Sequence, residues 1–194
     1  CVFGSFCLAI GSALLLSAAA PSTLQPGSSN WPRWRGPQGN GHTPDATLPV
    51  KWTDADVTVK TSLPGDGQST PIIWGDRIFL TSALERGQSR LVFCVDRTNG
   101  KILWQQTAWT GEPEPTHKMN GWASSTCVTD GEIVAAFFGR GGGLHVYTVD
   151  GKHLWSKELG YFDSRWGVSA CPILVDDMIV QNCDADADAY IAAV

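Results

Sequence analysis

Residues 96–104 read DRTNGKILW and residues 150–155 read DGKHLW. Both place an acidic residue, a tight turn ending in glycine, a lysine and a tryptophan in the same order. An arrangement so particular, written twice, points to a repeat. Three other stretches fall into step with it. Residues 69–79 are STPIIWGDRIF, residues 124–134 are SSTCVTDGEIV and residues 170–180 are ACPILVDDMIV. Each is an apolar run, a two-residue turn (Gly75-Asp76, Asp130-Gly131, Asp176-Asp177) and a second apolar run. Asp-Gly is a strong hairpin signal, because a type I′ turn needs positive φ at both central positions. The turns are 55 and 46 residues apart, and the motif aspartate follows its turn by 21 residues in the first unit and 20 in the second.

Each unit holds four strand-like runs. They cover 70–74, 77–82, 90–96 and 102–107 in the first unit, and 125–129, 132–138, 143–149 and 153–159 in the second. No stretch after the first twenty residues keeps a helical period. Four-stranded units repeating every ~40–50 residues predict an all-β chain built as blades of a β-propeller. A lone blade cannot cover both faces of its sheet, so neighbouring blades must supply each other's core. The repeated motif then has structural roles. Gly100 and Gly151 let the chain reverse before the outermost strand, and Asp96 and Asp150 accept hydrogen bonds from turn amides. Trp104 and Trp155 lie on that strand and pack toward the next blade, while the lysines stay in water.

Composition narrows the function. Hydrophobic residues make up 43% of the 194 residues and charged residues 17%, proportions of a chain that folds. A net charge of −5 gives no attraction to a phosphate backbone, which argues against nucleic acid as a partner. The first twenty residues, CVFGSFCLAIGSALLLSAAA, carry no charge and end in small residues. They read as the apolar part of a secretory signal, truncated at the front. The competing reading is an uncleaved anchor, the one route by which the chain would touch a membrane. Both place the protein outside the cytoplasm, in the periplasm or cell envelope. The expected organisation is a signal peptide at 1–20, a linker or strap at 21–45 and a propeller at 46–194.

FCVDRTNGKILW follows the AxDxxTGxxxW pattern of the pyrroloquinoline quinone (PQQ)-like repeat propellers, with Asn99 where threonine is usual. YTVDGKHLW is a shortened copy. WPRWRGPQGNG, LPGDGQSTPIIWGDRIFLT and GRGGGLHVYTVDGKHLW also resemble exported bacterial members of this family, over roughly residues 31–194. The resemblance implies a propeller of seven or eight blades, of which about three are written here. It leaves function open, because the same blade serves PQQ-dependent dehydrogenases and an assembly factor of the outer-membrane BAM complex. The reading favoured is a non-catalytic binding or scaffold module for a protein or other envelope ligand, with carbohydrate among the candidates and no cofactor. No nucleophile motif is present. The alternative is a quinoprotein dehydrogenase that oxidises an alcohol or sugar with PQQ and calcium. Such enzymes commonly hold the quinone against a Trp and, in many cases, a disulfide of adjacent Cys. No adjacent Cys pair occurs here, and none of their catalytic positions matches a residue of this chain.

Candidate sites follow from the same pattern. Asp184, Asp186 and Asp188 alternate like the start of a calcium loop, but Ala189 stands where an EF-hand needs glycine, so a solvated acidic turn is expected. GRGGG at 139–143 lacks the GK[ST] of a phosphate loop and runs into a strand. WPRWRGP is expected to form a strap over a blade edge, with a sugar-stacking or cation–π cluster as the other possibility. The long connection 112–125 carries His117, Lys118 and Asn120, and the matching connection one blade later carries Arg165 and Trp166. These five are the candidate ligand-loop residues. Cys94, Cys127, Cys171 and Cys183 have no zinc spacing and allow three full disulfide connectivities. Cys171 and Cys183 flank the 176–177 turn, one position out of register for a cross-strand bridge. The other reading makes all four small buried apolar residues.

Overall fold

A computed structural model describes residues 29–43, 49–161 and 163–194. The leader at 1–20 and the first part of the strap lie outside the described residues. Three antiparallel sheets follow one another along the chain. The first contains β1 (Ile72–Trp74), β2 (Arg77–Leu84), β3 (Ser89–Asp96) and β4 (Ile102–Thr110), paired in that order. The second repeats it with β5 (Val128–Thr129), β6 (Ile133–Phe137), β7 (Leu144–Thr148) and β8 (His153–Lys157). The third has β9 (Ile173–Val175), β10 (Met178–Cys183) and β11 (Tyr190–Ala193). These are successive blades of a β-propeller, and the boundaries expected for the strands agree with those observed to within about three residues for most of them.

Burial explains why the middle strands are apolar almost without alternation. β3 is buried continuously from Arg90 to Val95, as a strand covered on both faces must be. One core lies between the first and second blades and holds Ile72, Phe79, Val92, Cys94, Cys127, Val134 and Tyr147, with Trp74 and Trp104 packed against it. A second lies between the second and third blades, around Val128, Phe137, Leu144, Val146, Ile179 and Cys183. Each fully buried Phe or Leu is worth about 1.5–3 kcal/mol relative to exposure. No blade owns a core by itself.

The motif residues take separate parts in this packing. Asp96 Oδ1 accepts from the Thr98 amide at 2.8 Å and the Thr98 hydroxyl at 2.6 Å, and Oδ2 accepts from Asn99 Nδ2 at 2.9 Å. The hydroxyl and amide of Thr98, and then Asn99, hold its carboxyl below the usual carboxylate range. Asp150 departs from that expectation: its Oδ1 accepts from Arg77 Nη2 of the first blade at 2.5 Å, an exposed bridge between blades. Trp104 lies over Gly151 and donates Nε1 to Val149 O of the next blade at 2.9 Å. Trp155, at the matching strand position, is 38% exposed.

Two turn details differ from the sequence reading. Strand register places Thr129 opposite Val134, so the second blade turns through residues 130–133, with Asp130 Oδ1 accepting the amides of Glu132 and Ile133. In the other two turns positive φ falls on the first residue alone, Gly75 at 56° and Asp176 at 52°, which is not type I′. The β9–β10 register sets Val180 opposite Ile173 and therefore brings Asn182, not Cys183, opposite Cys171. All four cysteines are free thiols, with Cys94, Cys127 and Cys183 buried and Cys171 half-buried. Burial pushes the Cys94 and Cys127 thiols up to about 12.

The N-terminal segments complete the edges. Trp31 pairs with Ile73 through reciprocal backbone hydrogen bonds of 2.8 Å, and Pro32 O accepts from Thr129 N at 2.9 Å. The strap thus crosses the free edges of β1 and β5, the innermost strands of two adjacent blades. Farther on, Thr61 Oγ1 donates to Gly100 O at 2.8 Å. One blade later Gln106 Nε2 of β4 donates to Gly151 O, also at 2.8 Å. Residues 57–61 therefore stand against the first blade where an outer strand stands against the second.

Candidate functional site

Hydrogen bonds sort the connections onto two ends of the blades. At one end the turn at 75–76 meets the strap, through Asn30 Oδ1 accepting from Gly75 N, and meets the turn at 97–100, through Asp76 O accepting from Arg97 N. At the other end the two long inter-blade connections meet the turns between the second and third strands of each blade. That loop-bearing end gathers most of the candidate residues.

His117 and Trp166, from connections one blade apart, meet with ring centroids 4.3 Å apart and planes tilted by 44°. Asn120 Nδ2 donates to Trp166 O at 2.8 Å, and its Oδ1 accepts from Gly121 N and from the Ser124 hydroxyl. Gly167 has φ +80°, and a Cβ there would fall 2.1 Å from Thr116 Oγ1, so only glycine lets the two loops approach this closely. Arg165 and Lys118 do not join this contact. Arg165 turns to the acidic hairpin of the third blade, where its amide and Nε donate to Asp186 Oδ2 at 3.1 and 3.4 Å. The Arg165 amide, and then its guanidinium, hold the Asp186 carboxyl below the usual range. Asp184 Oδ1 accepts from the Ala185 amide.

Several residues at this end were not singled out from the sequence. Arg140, in the glycine turn Gly139–Gly142, lies 3.3 Å above the Tyr161 ring and donates Nη1 to Asp163 at 3.0 Å. Arg90 is fully buried on β3, pairs with Glu114, donates to the carbonyl of Phe138 in the second blade, and lies 4.4 Å from the Trp109 ring. A charged residue inside SRLVFCVD was the available signal, since an arginine on a doubly covered strand must find partners. Between the connections runs a narrow crevice lined by Glu114, Thr116, Trp122, Ser124, Phe138 and Val168, too tight to enclose a small molecule.

The glycine turn is braced from within. His145 of β7 is 7% exposed, with Nε2 2.6 Å from Gly142 O and its ring against Phe138. Burial holds its pKa below the ordinary 6.5 despite the Gly142 carbonyl, and His153 and Arg90 nearby press in the same direction. The folded chain therefore favours neutral His145, and the unfolded chain takes up the proton first as pH falls. Stability is fully present above pH 6.5 and is lost as pH drops through the lower folded value. Urea midpoints measured near pH 7.5 and near pH 5 should show a smaller acid loss in His145→Asn than in the parent. Equal losses in the two proteins would remove His145 as the cause.

Among the described residues no three His, Cys, Asp or Glu side chains come together as a metal site. Asp186 is engaged by Arg165, and the strap occupies the edges of β1 and β5.

Antiparallel blades that share cores in chain order, with the long connections gathered at one end, define a repeat propeller. The chain belongs to the family described as outer membrane protein assembly factor BamB, whose model matches residues 45–183. Among solved structures it is similar to BamB from Moraxella catarrhalis, at 17% identity and a TM-score of 0.50, covering 70% of this chain and 39% of that one. Similarity also extends to a europium-containing methanol dehydrogenase, at 16% identity and a TM-score of 0.46, covering 63% of this chain and 22% of that one. A quinohemoprotein alcohol dehydrogenase from Pseudomonas putida matches at 16% identity and a TM-score of 0.45, covering 68% of this chain and 19% of that one. The chain thus spans between about a fifth and two-fifths of the length of these structures. No curated protein matches it.

Proposed function

We propose that the protein is a non-catalytic recognition module of the cell envelope, exported and binding its ligand on the loop-bearing end. The observation that carries this reading is the convergence of two inter-blade connections, 112–125 and 160–170, held together by the tilted His117–Trp166 ring contact and the Asn120 hydrogen bond. Loops fixed in this way present side chains at low conformational cost, as a binding surface requires. Membership in the BamB family supports a protein or other envelope component as the ligand class. The uncharged leader supports export.

A PQQ titration with calcium present, followed by tryptophan fluorescence, tests this against the dehydrogenase reading. An electron-acceptor dye assay on alcohols and sugars runs in parallel. The nine tryptophans give a strong signal. The expected result is no saturable quenching and no dye reduction. Stoichiometric quenching with dye reduction would overturn the proposal.

A further inference from the structure

Resting on that reading, we propose that Tyr161 and Trp166 are two stacking platforms for an oligosaccharide chain that lies across the loop-bearing end. The rings are 67% and 57% exposed. Each is held by a neighbouring side chain: the Arg140 guanidinium lies over the Tyr161 ring at 3.3 Å, and the His117 ring meets Trp166 at 4.3 Å between centroids, tilted by 44°. The backing groups are themselves tied down. Arg140 is bonded to Asp163, and the Trp166 carbonyl to Asn120. Both rings thus have a fixed neighbour and keep more than half of their surface in solvent. Ordering a ligand against them costs little side-chain entropy.

The groups around the rings fit sugar hydroxyls better than a purely apolar partner. Asp163 and Arg165 expose 77% and 79% of their side chains, and Asp186 exposes 48%. The two ion pairs, Arg140–Asp163 and Arg165–Asp186, neutralise one another and leave free lone pairs and N–H groups fixed in planes. A pyranose offers the matching chemistry: an axial C–H face that stacks on an aromatic ring, and rim hydroxyls that both donate and accept. The adjoining crevice is too narrow for a buried ligand. A chain of sugar rings lying on the surface meets that geometry.

Calorimetric and fluorescence titrations with chitohexaose, cellohexaose and maltohexaose test the assignment, using the parent protein, Tyr161→Ala, Trp166→Ala and Trp166→Phe. At least one oligosaccharide should bind the parent saturably. Each alanine variant should weaken that binding at least tenfold, with thermal midpoints within about 2 °C of the parent. Trp166→Phe should restore part of the affinity, because it keeps a ring. Absence of binding to all three, or binding indifferent to both alanine variants, would overturn the assignment. The recognition reading itself fails through PQQ-dependent dye reduction, a signal the glycan titration does not touch, so the two failures are distinct.

Discussion

Replacing Arg90 by methionine is expected to destabilise the protein by about 3–5 kcal/mol, the cost of removing one partner from a buried ion pair. Its side chain is fully buried, and Glu114 is 16% exposed. The guanidinium serves three elements at once: Glu114 of the inter-blade connection, the Phe138 carbonyl of the second blade, and Gly87 O in the turn of its own blade at 3.4 Å. Methionine fills much of the volume but leaves a buried carboxylate and a carbonyl without their donor. Lysine should also fail, since one ammonium cannot reproduce the planar fork. Urea unfolding with an unchanged slope is the measurement. Pairing Arg90→Met with Glu114→Gln should recover part of the loss, because the stranded charge is gone. A loss below 1 kcal/mol for Arg90→Met would show that the blades do not depend on this contact.

Gly151→Ala is the second large effect, at about 2–4 kcal/mol. Two costs add. Gly151 has φ +88°, where an L-residue is strained by roughly 1–2 kcal/mol. A Cβ there would also lie 2.6 Å from Trp104 Cγ, and overpacking costs about 1–3 kcal/mol. Gly75→Ala is the control. Its φ is +56°, but nothing lies within 4 Å of the added carbon, so only the backbone cost applies. Trp104→Leu combined with Gly151→Ala should be less destabilised than the sum of the two single changes, since shortening the indole removes the clash. Equal losses at Gly151 and Gly75 would mean that Trp104 does not pack on its neighbour as described.

These two sites mark a division in how the fold is encoded. Gly151 and Trp104 belong to a motif that repeats, and their roles at the turn and the outer strand were readable from spacing. Asp150 carries the same letter as Asp96 yet bonds Arg77 of the previous blade, a difference no local pattern contains. Trp155 matches Trp104 in position but is far more exposed than a core residue. A motif names the strand and the turn, and the neighbour decides what the side chain meets.

The candidate site was partly legible for the same reason. Length and polarity of the connections pointed to His117, Asn120 and Trp166, which the structure brings together, and to Lys118 and Arg165, which it does not add to that contact. Tyr161 and Asp163 went unread because each is unremarkable among its sequence neighbours, and Arg140 was read only as part of the glycine run 139–143.

By itself the sequence determined the all-β architecture, the blade period and most hairpin positions. Those signals are local: a turn residue between two short apolar runs is complete within about ten positions. Only the tertiary structure decided the turn register of the second blade, the inter-blade role of Arg90 and the membership of the loop-bearing surface. Each depends on how one sheet is rotated against the next. That rotation follows from packing two blade faces to the density of a protein interior, a property of contacts between residues some 20 to 75 positions apart in the chain.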